Sequence, residues 1–381
     1  MSGFSSKKRA YYENWRDQML KSIHSNINSS KCNTFTSKTQ LDKFRANTFV
    51  DQVSFKSLGD KSSKAEHLFV FDLDGTFADG NMQEIQEALE LKNKKNGKLV
   101  YATGRTLELY GKLEDKLLEK GIKLPRPDYL ITNHGQFIYK KDDNGSFILD
   151  NDWKIRQENT GFNHDDVKET IRQLGQTDKY RLPEREVAKI PDLESNKKLD
   201  PEFYNSKIAY YEYGASKYFL EFMTMPDVID EFEKDCLSKL QEKGINSRIT
   251  REYFPEDSIN RSNKDDIKAR AQYRANDEKA VHVLFISAAD KSDAVEYLRE
   301  KLNVKKDNTI VAGNGGNDAC LTNKGFWFIS VGNAEKLLKD FINKLDKNLK
   351  ERIVIATKKG TAGILEGLNK VFSKKDDQVI N

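Results

Sequence analysis

Cysteine is scarce in this chain. The three present among 381 residues, Cys32, Cys236 and Cys320, lie far apart and form neither a Cys-x-x-Cys pair nor a Cys/His cluster. That spacing excludes a disulfide framework and a zinc-ligand set and fits a reducing compartment. Long apolar runs are missing as well. No stretch of about 18 apolar residues occurs, so no membrane-spanning helix is expected. The opening residues, "MSGFSSKKRAYYENW", lack the apolar core of a secretory signal, and a cytoplasmic location is expected. No internal repeat and no long low-complexity segment is present. The formal charge is only +4 and is unevenly placed, because residues 1–64 hold twelve Lys/Arg against five Asp/Glu. The basic excess therefore belongs to the N-terminal segment, and no nucleic-acid partner is expected.

Hydrophobic residues make up 37% of the chain and charged residues 33%, enough apolar material for a real core beneath a very polar surface. The length exceeds that of a usual single domain, which predicts two folded units and an extension. Residues 1–64, rich in Ser, Asn, Lys and Thr, form the extension, partly helical or disordered. Within it Tyr12, Trp15, Met19, Ile23 and Ile27 recur at helical spacing on a basic background. Such a helix packs back onto the body, binds a partner or lies on a membrane surface, and the sequence leaves the three readings open.

From residue 65 the texture changes to short apolar runs alternating with charged helical stretches. "HLFVFDLD", a helix through Met82 to Asn93, "GKLVYATGR", a helix from Leu107 to Lys120 and "PDYLITNHG" follow in turn. "NTIVAGNGG", "GFWFISVGN" and "ERIVIATKKG" continue the pattern later. This alternation predicts an α/β fold, a Rossmann-like parallel sheet built from residues 65–150 and 290–381. Residues 151–289 differ: "SKIAYYEY", "SKYFLEFMT", a helix from Asp227 to Lys243, "NSRITREYF" and "KAVHVLFIS" predict a smaller inserted α+β cap. In parallel sheets ligands sit at the carboxyl ends of the strands, so chemistry is sought just after each apolar run.

Those positions hold Asp72 and Asp74 after the first strand, Thr103, Gly104 and Arg105 after the second, Lys291 after the inserted region, and Asn314 and Asp318 in "GNGGND". Taken singly, strand-end acids form turns or helix caps, and Thr103 fits a strand or an N-cap. In order, the carboxylates, hydroxyl and ammonium are what phosphoryl transfer requires. A phosphate monoester is an anion, so an anionic nucleophile reaches it only with positive charge between them, and Mg²⁺ on oxygen ligands supplies that charge. Asp72 as nucleophile gives an aspartyl-phosphate, Asp74 serves as general acid and base, and Thr103 and Lys291 bind the phosphoryl oxygens.

"FDLDGT", "ATGRT", the lysine of "ADKSDAVEYL" and "AGNGGNDACL" resemble, in order, the four motifs of the haloacid dehalogenase superfamily of Mg²⁺-dependent phosphohydrolases. "PDYLITNHGQFIY", "ISVGNAEK" and "ATKKGTAGILEGL" are similar to its Cof-like and sucrose-phosphate phosphatase-like subgroup, which carries a large α/β cap. The resemblance covers roughly residues 66–370. It implies Asp72, Asp74, Asn314 and Asp318 around Mg²⁺, with Asp74 contributing its main-chain carbonyl, and Gly104, Arg105, His134 and Asn317 near the substrate. Two departures stand out. Asn314 occupies the place of a metal-binding aspartate, which predicts weaker Mg²⁺ binding, and His134 stands where relatives often have Asn. The implied activity is hydrolysis of a small phosphorylated metabolite, most simply a sugar phosphate. The alternatives are a phosphomutase on hexose phosphates, a protein-directed phosphatase, and a regulatory or partner-binding protein on the same scaffold.

Overall fold

The computed structural model describes residues 65–175, 177–180, 208–211, 218–224, 229–254 and 281–380. The expected helix at Tyr12–Ile27 lies outside them.

A strand that is apolar at nearly every position must be covered on both faces. In β1 (His67–Phe71) the last four residues are all at most 1% exposed. Side chains alternate across a strand, so Phe69 and Phe71 enter one core layer while Leu68 and Val70 enter the other. β1 sits inside an eight-stranded sheet of order β12-β11-β10-β1-β2-β3-β4-β5. The further strands are β2 (Gly97–Ala102), β3 (Tyr129–Thr132), β4 (Phe137–Lys141), β5 (Phe147–Leu149), β10 (Thr309–Gly313), β11 (Trp327–Ser330) and β12 (Ile353–Ile355). β1 pairs in parallel with β10 and β2, and β2–β3, β10–β11 and β11–β12 are also parallel. β4 and β5 are antiparallel.

Helices cover both faces. α1 (Met82–Lys94), opened by an Asn81/Glu84 capping box, buries Ile85 and Ala88 against the Phe69 layer. α2 (Leu107–Glu119) is capped by Thr106. The C-terminal α9 (Gly360–Ile380) adds Ile364, Leu368 and Val371 to the same layer. On the opposite face α6 (Lys291–Lys301) contributes Ala294, Val295 and Leu298, and α7 (Lys336–Lys344) contributes Leu338 and Ile342. α3 (Asn151–Glu158) follows β5, and α8 (Lys347–Lys350) precedes β12.

After α3 the chain leaves this sheet and builds a second one, antiparallel, of order β6-β7-β9-β8. Its strands are β6 (Ile208–Tyr211), β7 (Phe219–Thr224), β8 (Arg248–Phe254) and β9 (Val281–Ser287), and its helices are α4 (His164–Gly175) and α5 (Ile229–Glu242). Val167 and Ile171 of α4 and Phe232, Cys236 and Leu240 of α5 pack on Leu220, Leu284 and Ile286. By the same alternation Phe219, Thr250 and Phe285 face away from those helices.

Three features differ from the sequence reading. "PDYLITNHGQFIY" is two antiparallel strands, because Asn133 and His134 turn left-handed at φ 50° and 57° and reverse the chain. α4 is not among the elements expected from the sequence, although Val167, Ile171 and Leu174 recur at helical spacing. Residues Gly316–Lys324, beginning at the last glycine of "GNGG", form a 3₁₀ segment.

Candidate active site

The turn after β1 is built around glycine. Gly75 has φ +73°, and a Cβ there would lie 2.4 Å from Asn314 Nδ2, so conformation and space both demand its absence. Thr76 follows, and its hydroxyl donates to Asn314 Oδ1 at 2.9 Å, tying the β1 turn to the loop after β10. Asn333, just past β11, donates from Nδ2 to the Gly75 carbonyl at 2.7 Å and accepts the Gly360 N–H at 3.0 Å. Glu335 accepts the Gly316 N–H at 3.0 Å and donates its own N–H to the Asn314 carbonyl at 2.8 Å. One loop thus fixes two site turns. "ISVGNAEK" stands out in the sequence only by its likeness, although the rule of looking just past each apolar run points at Asn333.

Lys291 is the electrostatic centre. It opens α6, is 1% exposed, and places Nζ 2.9 Å from Asp72 Oδ1, 2.8 Å from Asp318 Oδ1 and 3.3 Å from Asn317 Oδ1. Burial works against the ammonium, but the carboxylates of Asp318 and Asp72 overcome it and hold the lysine above its ordinary pKa. Burial pushes the Asp72 carboxyl up, and Lys291 opposes that push. A cation at a helix N-terminus is unfavourable unless paired, and here two carboxylates pair it. The ammonium is held in place by its surroundings. Asp290 caps α6 through the N–H groups of Ser292 and Asp293, and Gln136 Nε2 binds the Ala289 carbonyl. Gly135, at φ +106°, lies so close that a Cβ would meet Asp290 O at 2.3 Å.

The remaining expected residues divide. Asp318 spends Oδ1 on Lys291 and Oδ2 on the N–H groups of Asn314 and Gly315, both at 3.1 Å. Asp74 and Arg105 form a two-pronged ion pair at 2.6 and 2.7 Å, each partly exposed. Thr103 is buried, and its hydroxyl accepts the Arg105 N–H at 3.1 Å. His134 is buried with its ring centroid 4.0 Å from that of Phe285 on β9. A Cβ on Gly104 would lie 2.5 Å from His134 Cε1, so the glycine makes room for the imidazole. Burial, reinforced by Lys291, lowers the His134 pKa to about 3.

Oxygen donors remain for a cation. Among the described residues no hydrogen bond falls on Asp72 Oδ2 or on the Asp74 carbonyl, and Asn314 Oδ1 has only the Thr76 hydroxyl. No group of three or more His, Cys, Asp or Glu converges as a metal cage among the described residues. The donor type therefore fits Mg²⁺, with little negative charge in the set.

The family model for sucrose-6F-phosphate phosphohydrolase matches residues 65–186 and 257–371. Among solved structures, the sucrose-phosphatase from Synechocystis sp., determined with sucrose and phosphate, is similar at 20% identity and TM-score 0.51, covering 81% of this chain and 98% of its own. A haloacid dehalogenase-like hydrolase from Bacillus subtilis is 20% identical with TM-score 0.45, covering 81% and 93%. Likeness at that identity bears on the fold alone. No curated protein sequence matches. The family match spans more than half the chain, and the motif order and strand-end geometry agree with it: this chain belongs to the sucrose-6F-phosphate phosphohydrolase family of haloacid dehalogenase-type phosphoric monoester hydrolases.

Proposed function

We propose that the protein is a Mg²⁺-dependent phosphatase of a sugar phosphate or similar small metabolite, acting through an aspartyl-phosphate on Asp72. The observation that carries this reading is the buried contact of Lys291 with Asp72 and Asp318, which lie 219 and 27 residues of sequence from it. A buried ammonium facing two carboxylates is costly as pure scaffold, and it matches a site that must bind an anion and a cation together.

In the proposed reaction a carboxylate oxygen of Asp72 bonds to phosphorus as the ester P–O bond breaks, and Asp74 delivers a proton to the departing oxygen. Asp74 then takes a proton from water, whose oxygen attacks phosphorus and returns Asp72 as carboxylate. Lys291 fixes Asp72 through Oδ1 and, with the Thr103 hydroxyl, faces the phosphoryl oxygens. Asp72, the Asp74 carbonyl and Asn314 would hold Mg²⁺, which supplies positive charge between nucleophile and phosphate. Asp318 ties Lys291 to the Asn314 loop. Arg105 lies on Asp74 and is within the same cluster, so an arriving phosphate competes with that carboxylate for the guanidinium. Residues 151–289 act as a cap that encloses the substrate.

The test is phosphate release from a panel of phosphorylated metabolites with Mg²⁺, with the Asp72→Asn protein as blank. Release by the native chain and its loss in Asp72→Asn, by at least about a thousandfold, is expected. Release that survives in Asp72→Asn excludes the covalent route.

A further inference from the structure

We infer that Thr250 is a specificity-determining residue that hydrogen-bonds the organic part of the substrate from the roof of the site, an assignment that rests on the phosphatase reading above. Thr250 lies on β8 and is 7% exposed, and its hydroxyl has no hydrogen-bond partner among the described residues. A buried hydroxyl without a partner is unfavourable, and a native structure keeps one where a ligand or water completes it.

Its position is fixed from two sides. In the β8–β9 register Thr250 stands opposite Phe285, whose ring lies on His134 beside Gly104. The next residue, Arg251, brings its carbonyl to 2.6 Å from where a Cβ on Gly316 would be, one residue from Asn317, which accepts from Lys291. Thr250 is thus bracketed by the phosphate-side turn on one flank and the Lys291 cluster on the other. Two polar neighbours on the same face of the sheet, among the described side chains, are committed elsewhere. Arg248 donates to Asp293 at 2.9 Å, and the Ser287 hydroxyl donates to the Ala289 carbonyl at 2.8 Å. Among the described residues, buried side-chain oxygens without a partner also occur on Thr132, Gln136 and Gln157, all three outside the four-stranded sheet.

Thr250 also falls between the two segments matched by the family model, in residues 187–256. β6, β7 and β8 fall in that interval while β9 lies in the second matched segment, so Thr250 reads the substrate's leaving group from a strand that the family pattern does not dictate. A hydroxyl that both donates and accepts suits a hydroxyl-bearing leaving group such as a sugar, and has only the weakly accepting nitro oxygens to meet on p-nitrophenyl phosphate.

The experiment compares kcat/KM for hexose phosphates with that for p-nitrophenyl phosphate in the native chain and in Thr250→Val, Thr250→Ala and Thr250→Ser. Valine is nearly isosteric and alanine asks for less room, so at least one variant without the hydroxyl folds. The ratio of sugar ester to aryl ester is expected to fall about tenfold in Val and Ala and to be restored in Ser. An unchanged ratio with a raised melting temperature in Val marks the hydroxyl as a packing defect and overturns the assignment. Equal losses on both esters overturn it as well. Failure of the native chain to release phosphate from any ester would instead overturn the phosphatase reading on which it rests.

Discussion

Asn314 shows how one atom changes a site. Its Oδ1 already accepts from Thr76, and its side chain fills the space that a Cβ on residue 75 would need. An aspartate fits the same space and accepts the same hydrogen bond, so Asn314→Asp adds charge without altering shape. The half-saturating Mg²⁺ concentration is expected to fall about tenfold, a gain on the order of 1.4 kcal/mol in binding. Calorimetric Mg²⁺ titration of both proteins checks this apart from turnover, and equal affinities would show that residue 314 does not touch the ion. Residues such as Asp72, Asp74, Lys291 and Asn314 were legible in the sequence because each stands directly after a strand or at a helix start. Asn333 and Thr250 were not. Asn333 acts on main-chain atoms of a turn 258 residues away, and Thr250 matters through an atom it fails to pair, which no local pattern records.

Elements meet closely at the turn Asn133–Gly135 and the start of α6. Gly135 combines a left-handed φ of +106° with a Cβ position 2.3 Å from Asp290 O and 2.7 Å from Lys291 N. Backbone cannot yield as a side-chain tip can, so Gly135→Ala is expected to cost about 2–4 kcal/mol of stability. It should also lower kcat more than it raises KM, because the turn presses on the residue that carries Nζ. Urea unfolding with steady-state kinetics reads both effects. Intact kinetics with normal stability would show that the turn is not tightly packed against α6. At this scale the sequence revealed the strands but not the reversal. Asn133, His134 and Gly135 are all types that enter the left-handed region more readily than most, and the His134 ring also packs on Phe285, a contact no local pattern records.

For the molecule as a whole, His134 couples stability to pH. Its folded pKa, near 3, lies below the unfolded value of about 6.5, so between these values the unfolded chain binds the proton and the native state does not. Its contribution is fully present above pH 6.5 and is lost as pH falls toward 3. Between pH 6.5 and 5 the native chain should lose on the order of 2 kcal/mol from this group. His134→Asn keeps a residue tolerant of the left-handed turn and should flatten that part of the stability profile. Melting temperatures from pH 7.5 to 5 test it, and parallel slopes for the two proteins would refute it. The parallel sheet and its two-sided burial were readable from strand composition over the whole chain. The antiparallel additions β4 and β5 were not, since short half-exposed strands leave little periodic signal.

Only Ala288, Ala289 and Asp290 join the end of β9 to Lys291. Each link of this tether is pinned: Ala288 N–H by the Tyr218 carbonyl, Ala289 by Gln136 and Ser287, and Asp290 by the groups it caps. A swing of the four-stranded sheet would therefore meet a braced pivot, and torque arising in the roof would be absorbed before it reached the buried ammonium.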